Sequence, residues 1–388
     1  MQGILKIQTI SPIVIREGGH TINYYIDYIP IGNRVFVIKK EKLLKKLMEK
    51  GLLERYISIL DEAVKTQDIS ILKKFFVTEN LCDETFLSAV SMYVLNSNIN
   101  LEETQFRQIG YFIRDSYMRP YIPGSSIKGA LRTALLYNLI IEDPDHVKHV
   151  NSVLNEVIKD KRADIRKADD KLEERYLRGT YYTVMKKRGR EIKKLVPGPH
   201  RDIFRGIMIS DGSPFANEDI LVSKVLLKES DEERELTLVE MLKAGVTSVH
   251  HIKVDEYFTE VIAHIMELKN RINLSGDIPR ILNNFYIEVL KEEKAFAEEE
   301  NILQLVNFYS RLEKALTNNR FLIRIGWGSG WLSTTIGLIL RREMPDLLEK
   351  LRLKYKMGIP GKPFPLSRKL TIDYQPLGWC LGDISWRT

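Results

Sequence analysis

Lys128 and Arg132 stand four residues apart, just downstream of Arg119-Pro120-Tyr121-Ile122-Pro123-Gly124-Ser125-Ser126. Residues at that spacing share one face of a helix. Two prolines and a glycine hold the preceding backbone in an extended, then turned path, since proline fixes φ and glycine permits positive φ. Ser125 or Ser126 can then cap a helix whose apolar stripe includes Ile127, Leu131, Leu135 and Leu139. Lys128 falls in the first turn, where the helix dipole is already positive, and a cation there is unfavourable unless an anion joins it. Helix-end amides, a lysine and an arginine together make a seat for phosphate. The plainer alternative is a capped core helix with two solvated basic residues. A Walker loop is excluded, because Gly124 and Gly129 have its spacing but Lys128 precedes the second glycine and Ala130-Leu131 follow it.

Three other stretches carry candidate chemistry. Tyr181-Tyr182 followed by Lys186-Lys187-Arg188-Gly189-Arg190 mixes aromatics with unopposed cations, a combination suited to single-stranded nucleic acid or, equally, to a surface loop. The strand Phe321-Leu-Ile-Arg324-Ile325 runs into Gly326-Trp327-Gly328-Ser329-Gly330-Trp331. The alternate glycines do not match the dinucleotide fingerprint; they allow close backbone approach. Trp327 or Trp331 can stack on a base, or both can anchor the core. His20 could serve as an acid or base, yet it has no identifiable partner in the sequence and reads equally as a polar loop residue. Asp211, after a strand and before glycine, reads as a turn cap. His146 and His149 lack nearby soft ligands and His250 and His251 point to opposite faces of a strand, so no metal and no cofactor is expected.

The elements that must position these residues alternate between short strands and long helical insertions, which is the α+β pattern. One strand is expected over Ile4–Ile15, with a proline near its end, and others around the turn Gly32-Asn33 and at Phe204–Asp211, Ile220–Leu226 and Val246–Val254. Helical spacing of leucines from about residue 40 to 115 reads as an insertion, and residues about 156–200 form a charged segment. A first lobe over 1–255 and a second over 256–388 follow, the latter helical from Tyr257 to about Leu316 with Val261-Ile262-Ile265-Met266 on an apolar face.

At 388 residues the chain is long enough to bury a sizeable core. A hydrophobic content of 44% with 29% charged residues is ordinary for a soluble globular protein. The net charge of +7 is compatible with an anionic partner. Cys82 and Cys380 form neither a CxxC site nor a disulfide framework, which fits a reducing cytoplasm. The N-terminus lacks a signal-peptide pattern, and the run Leu135–Ile141 is too short for a bilayer, so no membrane partner is expected.

The stretch Pro123-Gly124-Ser125-Ser126-Ile127-Lys128-Gly129-Ala130-Leu131-Arg132 resembles the signature of the RAMP superfamily of CRISPR proteins. The glycine-rich loop, the segment Pro363-Phe364-Pro365-Leu366-Ser367-Arg368 and the tail Pro376-Leu377-Gly378-Trp379 resemble further elements of that family, in order. The tail points to the fifth subunits of type III-A (Csm) effector complexes. The resemblance implies an RRM-like, ferredoxin-like core with large helical insertions. It also implies a non-catalytic subunit that binds CRISPR guide RNA (crRNA), caps its 3′ end and contributes to its maturation. Implied partners are other Csm subunits, above all the filament-forming backbone RAMP subunit, and trimming nucleases. Candidate RNA-contacting residues are Arg119, Gly124, Ser125, Ser126, Lys128, Arg132, Lys186, Lys187, Arg188, Arg324, Gly326, Gly328, Gly330 and Arg368. Two other readings stay open: a metal-independent RAMP endoribonuclease using His20, and a purely structural assembly subunit.

Overall fold

The computed structural model of the chain describes residues 1–387 other than 161, 163, 165, 179–181, 188–189, 196–197, 230–231, 260–273 and 317–319. Arg188 and the apolar run Val261-Ile262-Ile265-Met266 therefore lie outside the described residues. Strand β1 (Gln2–Thr9) leads to β2 (Arg16–Asn23) and the hairpin of β3 (Tyr28–Ile31) and β4 (Arg34–Ile38). Helices α1 (Lys40–Glu49), α2 (Leu53–Thr66), α3 (Ser70–Thr78) and α4 (Glu84–Val90) form the insertion. Strands β5 (Ser91–Ser97) and β6 (Gln108–Phe112) then precede α5 (Gly124–Glu142), α6 (His146–Lys159) and α7 (Arg166–Tyr176). Next come β7 (Tyr182–Lys187), β8 (Arg190–Leu195), β9 (Ile207–Ile209), β10 (Ile220–Glu229), β11 (Glu232–Leu242) and β12 (Thr247–Val254). After α8 (Leu274–Glu299) and α9 (Leu303–Lys314) follow β13 (Phe321–Arg324), three shorter helices α10 (Trp331–Thr334), α11 (Gly337–Glu343) and α12 (Pro345–Tyr355), then β14 (Ser367–Thr371) and β15 (Trp379–Trp386).

Five strands form one antiparallel sheet in the order β13-β15-β1-β12-β9. Taken as first strand, crossover helix α5, strands β9 and β12, then α8 and a closing strand, β15-β1-β12-β9 has the ferredoxin-like order 4-1-3-2, with β13 as an added edge. The alternation of β1 and β12 explains the two faces: Leu5, Ile7, Ile252 and Val254 are buried beneath the helices, whereas Lys6, His251 and Lys253 are exposed. Helices α5 and α8 pack against each other on the buried side. They are fastened there by Asn138, which donates to the carbonyl of Ile281 at 3.0 Å and accepts from Asn284 at 2.9 Å. Both amides are thereby satisfied in an otherwise apolar layer.

A second sheet runs β2-β6-β11-β10-β5-β4-β3, with β14 paired to β10. The helical texture expected to reach residue 115 ends at Val90. Ser91-Met-Tyr-Val-Leu-Asn-Ser97 alternates buried and more exposed positions, the two-residue period of a strand, and β5 pairs with β4 and β10. Residues 13–15 make a single bridge from Ile13 to Leu242, and the strand proper begins at Arg16. Phe204 opens a 3-10 turn, so the strand expected from there shortens to β9. Among the described residues, no helix is long and apolar enough to cross a membrane.

Candidate nucleic-acid interface

The turn that leads into α5 is tightly tied. Asp115 accepts hydrogen bonds from the backbone of Tyr117 and Arg119, each at 2.9 Å, and pairs with the Arg119 guanidinium at 2.7 Å. The turn carries Tyr117 and Arg119 outward, at 79% exposure for the tyrosine, with the guanidinium 5.1 Å from its ring. The chain then runs extended to Pro123, which precedes the first helical residue, Gly124. A Cβ on Gly124 would lie 2.3 Å from the carbonyl oxygen of Ile209 and 2.5 Å from that of Ser210, so only glycine fits there. The first-turn N–H of Gly124 donates to Asp211 Oδ1 at 2.9 Å. Asp211 thus caps α5, a helix distant in sequence, and the two serines expected to cap it stand within its first turn instead. The negative charge that the helix end calls for is already supplied from within the chain.

Lys128 and Arg132 share a face, as their spacing requires, but the protein engages both. The Lys128 ammonium donates to the carbonyl of Ile207 at 2.7 Å, and burial holds its pKa below the ordinary lysine value, with Asp202 pulling it up and Arg132 down. Arg132 forks onto Glu173 through Nε and Nη2, each at 2.7 Å, and onto Asp202 at 3.0 and 2.6 Å. Its guanidinium also lies 5.2 Å from the Phe204 ring. Burial opposes its charge, but the two carboxylates keep its pKa above the usual value. Ser125 stays exposed and Ser126 partly so.

The glycine-rich loop approaches its own chain. Gly326 (φ +87°) would put a Cβ 2.5 Å from the Val14 carbonyl, and Gly328 (φ +93°) one 2.7 Å from Leu377 Cδ1. Gly330, also at positive φ, has open space around it and precedes α10, which packs against α5. Trp331 is half-buried and meets Phe364 edge-on. Trp327 is also half-buried; its backbone N–H donates to Val14 at 2.6 Å.

Arg324, Arg368 and Arg132 do not present their charges to a partner, which corrects the expectation for these three. Arg324 and Arg368 are 3% and 5% exposed and share the buried carboxylate of Glu293, at 3.4 and 2.9 Å. Arg324 also donates to the Leu377 carbonyl at 3.0 Å, and Arg368 to that of Pro365 at 3.0 Å. The physical reason differs by strand: β13 is buried along its whole length, and the alternation of β14 turns Arg368 inward, so both side chains lie in the core, where an arginine must be paired. The residue after Arg368 points the other way. Lys369 places its ammonium 5.1 Å from the centre of the Trp327 ring, and the Arg16 guanidinium lies 5.7 Å from it. Neither was singled out by sequence reasoning; only the alternation of β14 signals Lys369.

The basic segment forms the two-stranded sheet β7-β8, in which Lys186 and Lys187 stand opposite Glu191 and Arg190 in register. His20 is exposed on β2 beside a groove lined also by Asp27, Lys40 and Tyr111. Asp27 is engaged there by Lys40 at 2.9 Å and by Asn23. His146 and His149 contact Glu343 and Asp143, respectively, at 2.6 and 2.8 Å. Among the described residues no group of three or more His, Cys, Asp or Glu is placed to hold a metal ion.

A fold of this order, opened by that signature turn, defines a class: the RAMP superfamily model matches residues 6–333, and the chain belongs to the RAMP superfamily. Within it, the chain is similar to Csm5. The CRISPR system Cms protein Csm5 of Streptococcus thermophilus is 28% identical over 134 residues, which are 34% of this chain and 37% of that protein. The aligned part thus spans little more than a third of that relative's length. A chain of the Csm-crRNA-target RNA ternary complex of a type III-A CRISPR-Cas system superposes with a TM-score of 0.74 and 26% identity, over 99% of this chain and 100% of that one. Csm5 of T. onnurineus superposes at 0.68 with 25% identity, over 97% and 99%.

Proposed function

We propose that the chain is a non-catalytic RNA-binding subunit of a type III-A CRISPR effector complex, acting in the cytoplasm, which caps the 3′ end of crRNA and contributes to its maturation. The observation that carries this reading is the match, end to end, to a chain of a Csm-crRNA-target RNA complex. Phosphate contacts fall to Ser125, Ser126 and Lys128 at the start of α5, with Arg119 on the adjoining turn. Gly326, Gly328 and Gly330 shape the neighbouring surface, and Lys186, Lys187 and Arg188 add positive charge along the strand of RNA. Arg132, Arg324 and Arg368 hold the scaffold beneath these contacts. The backbone RAMP subunit is the neighbour that such a cap must dock on, and trimming nucleases act on the RNA left uncovered.

Cleavage is not part of this reading. The His20 side chain makes no hydrogen bond or ion pair with another described residue: of the carboxylates lining its groove, Asp27 is neutralised by Lys40, and the exposed Glu17 and Glu41 make no hydrogen bond to the imidazole. Acid–base chemistry on RNA needs a second group within reach.

The test is a binding and cleavage assay on single-stranded RNA labelled at its 3′ end, using the purified chain and its Lys128→Gln and His20→Ala variants. Expected are intact RNA, affinity that falls steeply with salt, weaker binding by Lys128→Gln and unchanged binding by His20→Ala. Cleavage by the parent chain that disappears only in His20→Ala would overturn the proposal in favour of a nuclease.

A further inference from the structure

Trp327 sits on a small apolar cluster of Val14, Val225, Val239, Met241 and Leu377, separate from the main core. Its ring is the meeting point of two cations from different parts of the chain: Arg16 at the start of β2 and Lys369 in β14. Both are half-buried, and neither forms an ion pair or hydrogen bond with another described residue. The Nε of Arg16 is buried without any partner. Gly110 gives the guanidinium its room, since a Cβ there would lie 3.1 Å from Nε. Burial alone pushes the pKa of Lys369 down; no charged neighbour offsets it.

Several comparable groups among the described residues are matched by carboxylates. Lys224, on the neighbouring strand, is paired with Glu235; Arg132 holds two carboxylates; Arg324 and Arg368 share Glu293. A half-buried cation without a counter-charge costs free energy, and two of them converge on one aromatic ring. An anion arriving from outside would relieve both at once.

We propose that Arg16 and Lys369, gathered around the Trp327 indole, form a seat for a backbone phosphate of single-stranded RNA. The proposal rests on the RNA-binding function argued above and gives that function a site which the signature turn does not contain. A phosphate has enough oxygens to bridge a guanidinium and an ammonium together. The exposed part of the indole offers the adjoining base an apolar surface, the pairing of charge and aromatic that single strands use. The sheet supplies rigidity: Arg16 starts β2, Lys369 lies within β14, and Trp327 is fixed between two glycines by its bond to Val14.

The test compares the full chain with the Arg16→Gln/Lys369→Gln double variant, measuring the anisotropy of a labelled single-stranded RNA across a salt series. The double variant is expected to bind at least tenfold more weakly. Its slope of log affinity against log salt should be shallower by about 0.7, the value for one lost phosphate contact on a single strand. Lys224→Gln, which removes a charge already paired, should leave both quantities unchanged. Photocrosslinking of the unaltered chain to RNA provides a measurement that no folding defect can confuse, with crosslinked peptides expected to include Trp327. A double variant that keeps the parent's affinity and slope overturns the seat while leaving RNA binding intact, and would assign the two cations to an acidic protein surface instead. Failure of the parent chain itself to bind RNA overturns the functional reading and the seat with it.

Discussion

Arg368 and Lys369 are adjacent, both cationic and opposite in fate. One points into the core, where Glu293 and the Phe296 ring, 4.1 Å from the guanidinium, receive it; the other points toward Trp327. The sequence makes both residues visible as charges, but which of them faces outward depends on the register of β14 against β10, a long-range pairing that no local pattern encodes. The same limit applied to Arg324. For Gly326 and Gly328 local chemistry sufficed to predict close approach; for Lys128 it called for an anion, and the Ile207 carbonyl accepts from the ammonium instead. Glu293 was the least legible of all: nothing sets it apart from its neighbour Glu292, yet it is 2% exposed between two arginines. Burial alone would push its pKa up, but Arg368 and Arg324 hold it below the usual carboxylate value. A depressed carboxylate contributes stability that is present above its unfolded pKa and is lost as pH falls through the folded one. Glu293→Gln leaves two buried guanidiniums without a counter-charge, a loss of about 3–5 kcal/mol for a broken buried pair. Arg119→Ala, which removes an exposed pair with Asp115, should cost less than about 1 kcal/mol. Urea unfolding of the two variants separates these outcomes, and comparable midpoints would refute the role given to Glu293.

At the scale of elements, periodicity served well where one face of a strand or helix is buried. The alternation of β1 and β12, the hairpin turning at Gly32 and the stripe of α5 are all local patterns. Strands β5 and β6 were absorbed into the helical insertion because β5 follows α4 directly and neither is preceded by a turn of glycine or proline to announce it. Strand β11 was hidden for a different reason: it opens with the charged run Glu232-Glu233-Arg234-Glu235 and becomes apolar only as it enters the sheet. The hairpin β7-β8 stands apart from both large sheets, and its base is closed by the bridge between Arg178 and Asp202. A lone two-stranded hairpin adds little to global stability. Replacing residues 182–195 with a short glycine-serine linker should leave the melting temperature of the chain within about 1 °C, a change of under about 1 kcal/mol at this size. RNA affinity should fall several-fold in the same variant. A large drop in melting temperature with unchanged affinity would make the hairpin structural.

Across the whole molecule, the two ends of the chain are built into one sheet. Strand β15 lies between β1 and β13, and the backbone N–H of Arg387 donates to Gln2 at 2.8 Å. Trp379, fully buried, is tied to the start of the chain through Ser11, whose hydroxyl accepts from its N–H at 2.9 Å, and through Ile10, whose N–H donates to its carbonyl at 2.8 Å. The division at residue 255 that composition suggested is crossed by this sheet, because β1 pairs with β12 on one side and with β15 on the other. The central strand therefore cannot complete its hydrogen bonds until residues 379–386 have been made. Pairing over such a separation slows folding, since loop closure must precede the contacts that reward it. Ending the chain at Gln375 would strip one edge of β1, detach β13 and open the layer that holds Arg324 and Glu293. An unpaired β1 edge is also a template for association with other chains. The truncated chain is thus expected in the insoluble fraction, or, where soluble, without a cooperative urea transition, whereas removal of the β7-β8 hairpin leaves that transition in place. A truncated chain that stays soluble and unfolds at the parent's midpoint would show that the first 375 residues fold without the closing strand, and that β15 is an accessory to this sheet instead of its keystone.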